Sequence, residues 1–178
     1  MEELHIHQKT FVKCLPAETL ESAVEAIALK MNRELIDKNP LFISVLNGAF
    51  MFTSDLMKLL KFNCHLTFVK VSSYEGSSST GKVQTCIGLT ENIKDRTVII
   101  LEDIVDSGTT LFHFVNDLKK QNPREIKIAA MFFKPNCCKY EIKIDYLGME
   151  IPDNFVVGYG LDYNGLGRNY RDLYRLKE

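Results

Sequence analysis

Ile99-Ile100-Leu101-Glu102-Asp103-Ile104-Val105-Asp106-Ser107-Gly108-Thr109-Thr110 joins an apolar run to two acids, then to a third acid and a small, hydroxyl-rich turn. The run Thr97 to Leu101, preceded by the turn residues Asp95 and Arg96, is short, apolar and β-branched, which suits a buried strand. Past Gly108 the pattern becomes helical to about residue 121, where Asn122 and Pro123 stop it. Asp106, Ser107, Gly108, Thr109 and Thr110 therefore stand at a helix N-terminus, where backbone N–H groups and the positive end of the helix dipole favour an anion such as phosphate. Gly108 permits close approach of the chain to such a ligand. Glu102 and Asp103, adjacent at a strand end, project to opposite sides and can accept hydrogen bonds from vicinal hydroxyls such as those of ribose. Taken singly, Asp106, Ser107 and Thr109 read as ordinary helix caps. Taken together, three acids after an apolar strand carry a desolvation cost unless they are used, and a sugar phosphate would use them all.

Outward from this string, strands and helices alternate. Leu20, Ala23, Val24, Ile27 and Met31 recur at three and four after Pro16 and predict a helix near 17–37, ended by Asn39 and Pro40. LFISVL (41–46) reads as a buried strand turning at Asn47 and Gly48 into the helical stripe FMFTSDLMKLL. His65 to Val71 and KVQTCIGL form a predicted long hairpin around the polar loop SSYEGSSSTG (72–81), and EIKIAAMFF and NFVVGYG are strand-like. Alternation of this kind predicts an α/β fold, a mainly parallel twisted sheet flanked by helices, in one domain spanning 1–178. Ligands of such sheets bind beyond the carboxyl ends of the strands, here the junctions at 46–50, 101–110, 133–135 and 157–162.

Composition bounds the function. The 178 residues are 46% hydrophobic and 25% charged, with 22 Lys and Arg against 23 Asp and Glu, a net charge of -1. A chain of this size buries roughly 70% of its unfolded surface and needs no disulfide or structural metal. Near-neutral charge argues against nucleic acid or an anionic membrane as the main partner. No apolar run approaches the ~20 residues of a membrane span, and MEELHIHQKT lacks an apolar signal core, so a cytoplasmic location is expected. The five cysteines, at 14, 64, 86, 137 and 138, form no C-x-x-C pair and read as reduced packing residues. Gly76, Gly81 and Lys82 imitate a P-loop, but Val83 replaces its Ser or Thr and a strand follows, which excludes a nucleoside triphosphatase.

The twelve-residue string resembles the phosphoribosyl-pyrophosphate signature of type I phosphoribosyltransferases, and the flanking motifs, from about residue 40 to 171, resemble the hypoxanthine-guanine branch. The resemblance implies that family's fold, with a small hood region and a flexible hairpin lid. By the same resemblance Leu46, Asn47 and Gly48 form the pyrophosphate loop, with a non-proline cis peptide and with Asn47 where the family commonly has Lys or Arg. Ser73 and Tyr74 begin the lid that excludes water from the reacting centre. Lys134 would bond the purine's exocyclic oxygen, Phe155 would stack on the base, and the backbone following it, at Val156, would read the base edge, whereas Val157 reads as core. Asp162 would bind magnesium together with Glu102 and Asp103, oxygen ligands suited to a hard cation. Arg168 would contact pyrophosphate, with Arg171 as the competing assignment.

The activity so implied is magnesium-dependent transfer of phosphoribosyl from phosphoribosyl pyrophosphate to N9 of a 6-oxopurine, with Asp106 acting on the N7 proton, in a homodimer or homotetramer. A rival of another class, a regulatory protein that senses the sugar phosphate and binds nucleic acid, would have no need to keep Lys134, Phe155 and Asp162 together. The choice among hypoxanthine, guanine and xanthine stays open.

Overall fold

The computed structural model describes residues 2–73 and 83–177. Its larger sheet has the order β5-β4-β3-β6-β7-β8. These strands are β3 (Leu41–Leu46), β4 (His65–Ser73), β5 (Val83–Ile87), β6 (Thr97–Val105), β7 (Glu125–Phe133) and β8 (Tyr146–Glu150). Five are parallel, and β5 returns antiparallel on β4 at one edge. The predicted hairpin is thus present. The polar loop between its strands, with Tyr74, Gly76, Gly81 and Lys82, lies outside the described residues, and Ser73 is the last residue of β4.

Helices cover both faces. On one, α1 (Ala17–Glu34) and α2 (Phe50–Leu59) bury Leu20, Val24, Ile27, Met31, Phe52 and Leu56 against Phe42, Ile99, Leu101 and Phe132. On the other, α3 (Thr109–Lys119) packs Leu111, Phe114 and Leu118 on Ile43, Val69, Val98, Ile100 and Ile128. Because alternate residues of a parallel strand serve opposite faces, β3 and β6 must be apolar throughout, which explains LFISVL and TVIIL. The buried hydroxyls of Ser44 and Thr53 pair with each other at 2.7 Å and fasten α2 to β3. No helix among the described residues is long and apolar enough to cross a membrane, and Cys14, Cys64, Cys137 and Cys138 form no disulfide.

Several boundaries differ from the sequence expectation. The first helix ends at Glu34, three residues short of 37, where Leu35 caps it and Asn39 takes a positive φ of 43° before Pro40. The strand expected to end at Leu101 runs through the acids to Val105, paired along its length with β7. NFVVGYG supplies only the two-residue β9 (Val156–Val157), the rest being turns stabilised by glycines. A second, antiparallel sheet, the small hood, has the order β1-β2-β10-β9, with β1 (Glu3–Ile6), β2 (Lys9–Leu15) and β10 (Leu173–Leu176). It pairs the first residues of the chain with the last.

Phe42, wholly buried between the sheet and its helices, tests this packing. Phe42→Ala is expected to cost about 3–5 kcal/mol, read as a lower urea midpoint. A midpoint within error of the parent would mean that this face is not the core described.

Candidate active site

Strand β6 lies between β3 and β7, and chain connections leave β3 and β6 in opposite directions along the sheet. This is the switch point at which open α/β sheets form a crevice. The ladder between β3 and β6 ends at Ser44 and Leu101, after which β6 continues beside β7 alone. Glu102 and Asp103 are the next residues, so their carboxylates meet the space that β3 has left. A cavity of about 370 Å³ opens there, lined by Leu46, Asn47, Gly48, Glu102, Asp103 and Thr110 and closed by Asp162 and Arg168.

The walls of this cavity are fitted by backbone contacts. Leu46 and Asn47 are joined by a cis peptide, in agreement with the expectation. Gly48 follows, and a Cβ there would overlap the Asp103 carboxylate. Its carbonyl in turn abuts Gly160, whose φ of +97° and close approach leave no room for a side chain. The chain then hairpins from Gly158 to Arg168. Gly160 N–H donates to the Arg168 carbonyl, Arg168 Nη1 donates to the Gly160 carbonyl at 2.8 Å, and Arg168 Nη2 pairs with Asp162 at 2.6 Å. Arg171 points elsewhere and pairs with Glu21 of α1. Of the two competing arginines, only Arg168 lines the cavity.

Glu102 and Asp103, consecutive residues of β6, both line this cavity. Burial raises the proton affinity of both. Burial, and then the Asp103 charge beside it, holds Glu102 well above the usual carboxylate range. Asp103 is pushed up to about 6 by burial, against the pull of the Ile104 N–H it accepts at 2.8 Å. Two carboxylates under mutual repulsion in a half-dry crevice suit a divalent cation, because its charge relieves both. Among the described residues, no three acidic, histidine or cysteine side chains come together closely enough to enclose an ion unaided. Magnesium fits such a site, since it commonly takes one or two protein carboxylates and completes its shell with water and phosphate oxygens.

A second cavity, of about 120 Å³, adjoins the first and shares Glu102 and Thr110; its other walls include Asp106, Ser107, Gly108 and Thr109. Gly108 is the N-cap of α3 at φ 72° and has no side chain to cap the first turn. The N-terminal N–H groups and the Ser107 and Thr109 hydroxyls thus surround an anion-sized space. Lys134, at the end of β7 and only 5% exposed, reaches across to Asp106 at 2.7 Å. The phosphate-type loop and the lysine are therefore joined through one carboxylate.

Phe155 and Val156 stand apart from both cavities. Phe155 is 43% exposed on the hood, edge-on to Tyr163 and tilted against Phe11. Val156 is buried and paired with Arg175, and Val157, paired with Tyr174, is wholly buried in the hood core. Val45 and Val71 also line the larger cavity, and no chemical signal in their side chains could have singled them out.

The phosphoribosyl transferase domain family model matches residues 15–164. Similar chains include the hypoxanthine-guanine phosphoribosyltransferase of Bacillus subtilis, 39% identical over 88% of this chain and 86% of that one. The hypoxanthine-guanine-xanthine phosphoribosyltransferase of Tritrichomonas foetus is 33% identical over 90% of this chain and 88% of that one. Among solved structures, a hypoxanthine phosphoribosyltransferase from Staphylococcus aureus is similar with a TM-score of 0.88 at 36% identity, over 93% of this chain and 90% of that chain.

The carboxylate pair has a pH signature. A carboxyl with a folded pKa of about 6 against an ordinary 3.8 stabilises the fold fully below about pH 4, and this stabilisation is lost as pH rises through about 6. In the metal-free protein, Asp103→Asn removes that loss. Its unfolding free energy is expected to exceed the parent's at about pH 8, by on the order of 1 kcal/mol after solvent screening, seen as a higher thermal midpoint, and to converge with it near pH 4. Parallel curves across this range would contradict the burial penalty assigned to Asp103.

Proposed function

The chain belongs to the phosphoribosyltransferase family, and from that membership we propose that it is a magnesium-dependent purine-salvage enzyme. It transfers 5-phosphoribosyl from phosphoribosyl pyrophosphate to N9 of hypoxanthine, guanine or both, giving IMP or GMP and pyrophosphate. The relatives named above support this reading. The observation that carries it is Asp106, which belongs to the anion-sized loop and also pairs with buried Lys134. A 6-oxopurine has an exocyclic oxygen beside N7 on one edge, and this ion pair offers that edge a donor and an acceptor next to the 5′-phosphate.

In the reaction the bond from ribose C1′ to the pyrophosphate oxygen breaks, the bond from N9 to C1′ forms, and the proton on N7 leaves. Positive charge grows on the sugar before the base closes in, so stabilisation is chiefly electrostatic. Glu102 and Asp103 hold the ribose hydroxyls beside that charge. Asp106 accepts the N7 proton while Lys134 donates to the oxygen on C6. Leu46, Asn47 and Gly48 receive the pyrophosphate by backbone contacts, and Arg168 supplies the cationic side chain that Asn47 does not. Glu102, Asp103 and Asp162 would hold magnesium together with substrate oxygens, and such an ion would supply charge neutralisation at the leaving group. Phe155 stacks on the base once it is seated, with Val156 reading the base edge through its backbone, and Ser73 and Tyr74 belong to the covering segment.

The same reading makes the assembly a homodimer or homotetramer. Leu66 and Phe68 support it, since both are exposed on the face of β4 opposite to Val69 and Val71. It also makes the enzyme cytoplasmic.

Purified protein incubated with phosphoribosyl pyrophosphate, magnesium and each of hypoxanthine, guanine, xanthine, adenine and uracil is expected to form nucleotide with a 6-oxopurine and to stop when a chelator is added. Asp106→Asn is expected to lower kcat by about 10² to 10⁴ with an unchanged circular dichroism spectrum. Parental turnover in that variant would overturn the role of Asp106, and nucleotide formed only with uracil or adenine would overturn the substrate class.

A further inference from the structure

The loop that carries Asp162 and Arg168 meets the backbone of the Asn47–Gly48 turn at a glycine. Gly160 rests on the Gly48 carbonyl, and a glycine contact has no side chain to fix its distance. Between Gly158 and Gly160 stands Tyr159, 3% exposed and held at a φ of 46° that few residues with a side chain adopt. Its N–H donates to the Tyr170 carbonyl at 2.8 Å, and its ring meets Phe132 of β7 edge-on. Its hydroxyl donates to Asp55 Oδ2 at 2.9 Å, while Asp55 Oδ1 takes Lys58 at 2.6 Å. Burial and the Asp55 carboxylate keep the phenol protonated and thus a donor.

Asp55 lies on α2, which grows directly from the Asn47–Gly48 loop. The start of α2 is fixed by the Ala49 N–H on the Val45 carbonyl and by the Ser44–Thr53 pair. The two walls of the cavity are thereby bridged twice, by backbone at Gly48 and Gly160 and by side chains at Asp55 and Tyr159. The second bridge resists opening that the first cannot, because a hydrogen bond has a preferred length and a glycine contact does not.

From this arrangement we infer that Tyr159, braced by Asp55, is a positioning residue that sets the spacing between the Asn47–Gly48 loop and the Asp162–Arg168 pair. It thereby governs binding of the pyrophosphate part of the sugar substrate and not of the purine. The inference rests on the transferase reading. Asp106 and Lys134, which face the base, hang from β6 and β7, and Phe155 and Val156 are held by the pairing of β9 with β10 and not by Asp55, so loss of the brace separates the two substrates.

Steady-state kinetics of Tyr159→Phe and Asp55→Ala test this. Each is expected to raise KM for phosphoribosyl pyrophosphate about tenfold, the effect of one lost hydrogen bond, with KM for the 6-oxopurine unchanged. Asp55→Asn, whose amide can still pair with the phenol, is expected to restore most of the affinity. The double variant should be no worse than either single one, since both remove the same bond. Unchanged KM for the sugar substrate in a folded Tyr159→Phe protein, or an equal rise for both substrates, overturns the brace. A parent protein that makes no nucleotide at all overturns the transferase reading and this inference with it.

Discussion

Two like charges at the end of one strand govern the design of this molecule. β6 is wholly apolar from Val98 to Leu101 and then presents Glu102 and Asp103 where β3 no longer pairs with it. Neither carboxylate can retreat, since the same backbone is bonded to β7 on its other side. Burial raises the proton affinity of both, and the Asp103 charge raises that of Glu102 further, and the surrounding elements are arranged around that unfavourable charge. Gly48 removes the Cβ that would displace Asp103. Arg168 approaches from the far wall. A sheet whose order reverses here supplies a crevice, and the carboxylates fill it with the opposite of what a hydrophobic core would choose.

The hood is what brings that far wall into place. The loop from Gly158 to Arg168 leaves β9, a strand of two residues that could not stand alone. It is held because β10 pairs with β9 on one side and with β2 on the other. Asp172, between the loop and β10, accepts the Ala17 N–H at 2.7 Å and pairs with Lys13 at 2.7 Å, so one carboxylate caps α1 and ties β2 to the loop. That cap stands in for the side chain that Pro16, at the N-cap, cannot offer. A site residue such as Arg168 thus depends on contacts made by residues more than a hundred positions away.

This dependence explains what the sequence discloses and what it withholds. The parallel sheet was legible because a strand buried on both faces is apolar at nearly every buried position, and LFISVL and EIKIAAMFF have the same limits in the structure as in the sequence. The end of β6 was not, because Glu102 and Asp103 read as acids closing a strand unless the partner strand is known to continue beside them. The hood strands Lys9–Leu15 and Leu173–Leu176 are short, carry lysine or arginine, and are stable only as partners of each other. Arg168 and Arg171 are three residues apart and chemically identical, and only the backbone turns at Gly165 and Gly167 decide which one faces inward. Tyr159 reads as a core aromatic until Asp55 is seen opposite its hydroxyl.

The base side of the site follows a different logic from the phosphate side. Lys134 is nearly buried, and a buried ammonium without a partner is costly, so Asp106 pairs with it while the site is open. Asp106 itself stays half exposed and is not confined by that bond. On the proposed reading, an entering 6-oxopurine would offer Lys134 an oxygen and Asp106 a proton donor at the same edge, so the pair could exchange one partner for another without leaving either charge unsatisfied. Among the described residues the carboxylate pair has no ion-pair partner, and Arg168 acts on Asp103 only through its charge from the far wall. One half of the crevice is therefore satisfied before binding and the other is not. That asymmetry gives the cation and the sugar pyrophosphate more to gain than the base from entering an open site, which favours their arrival first.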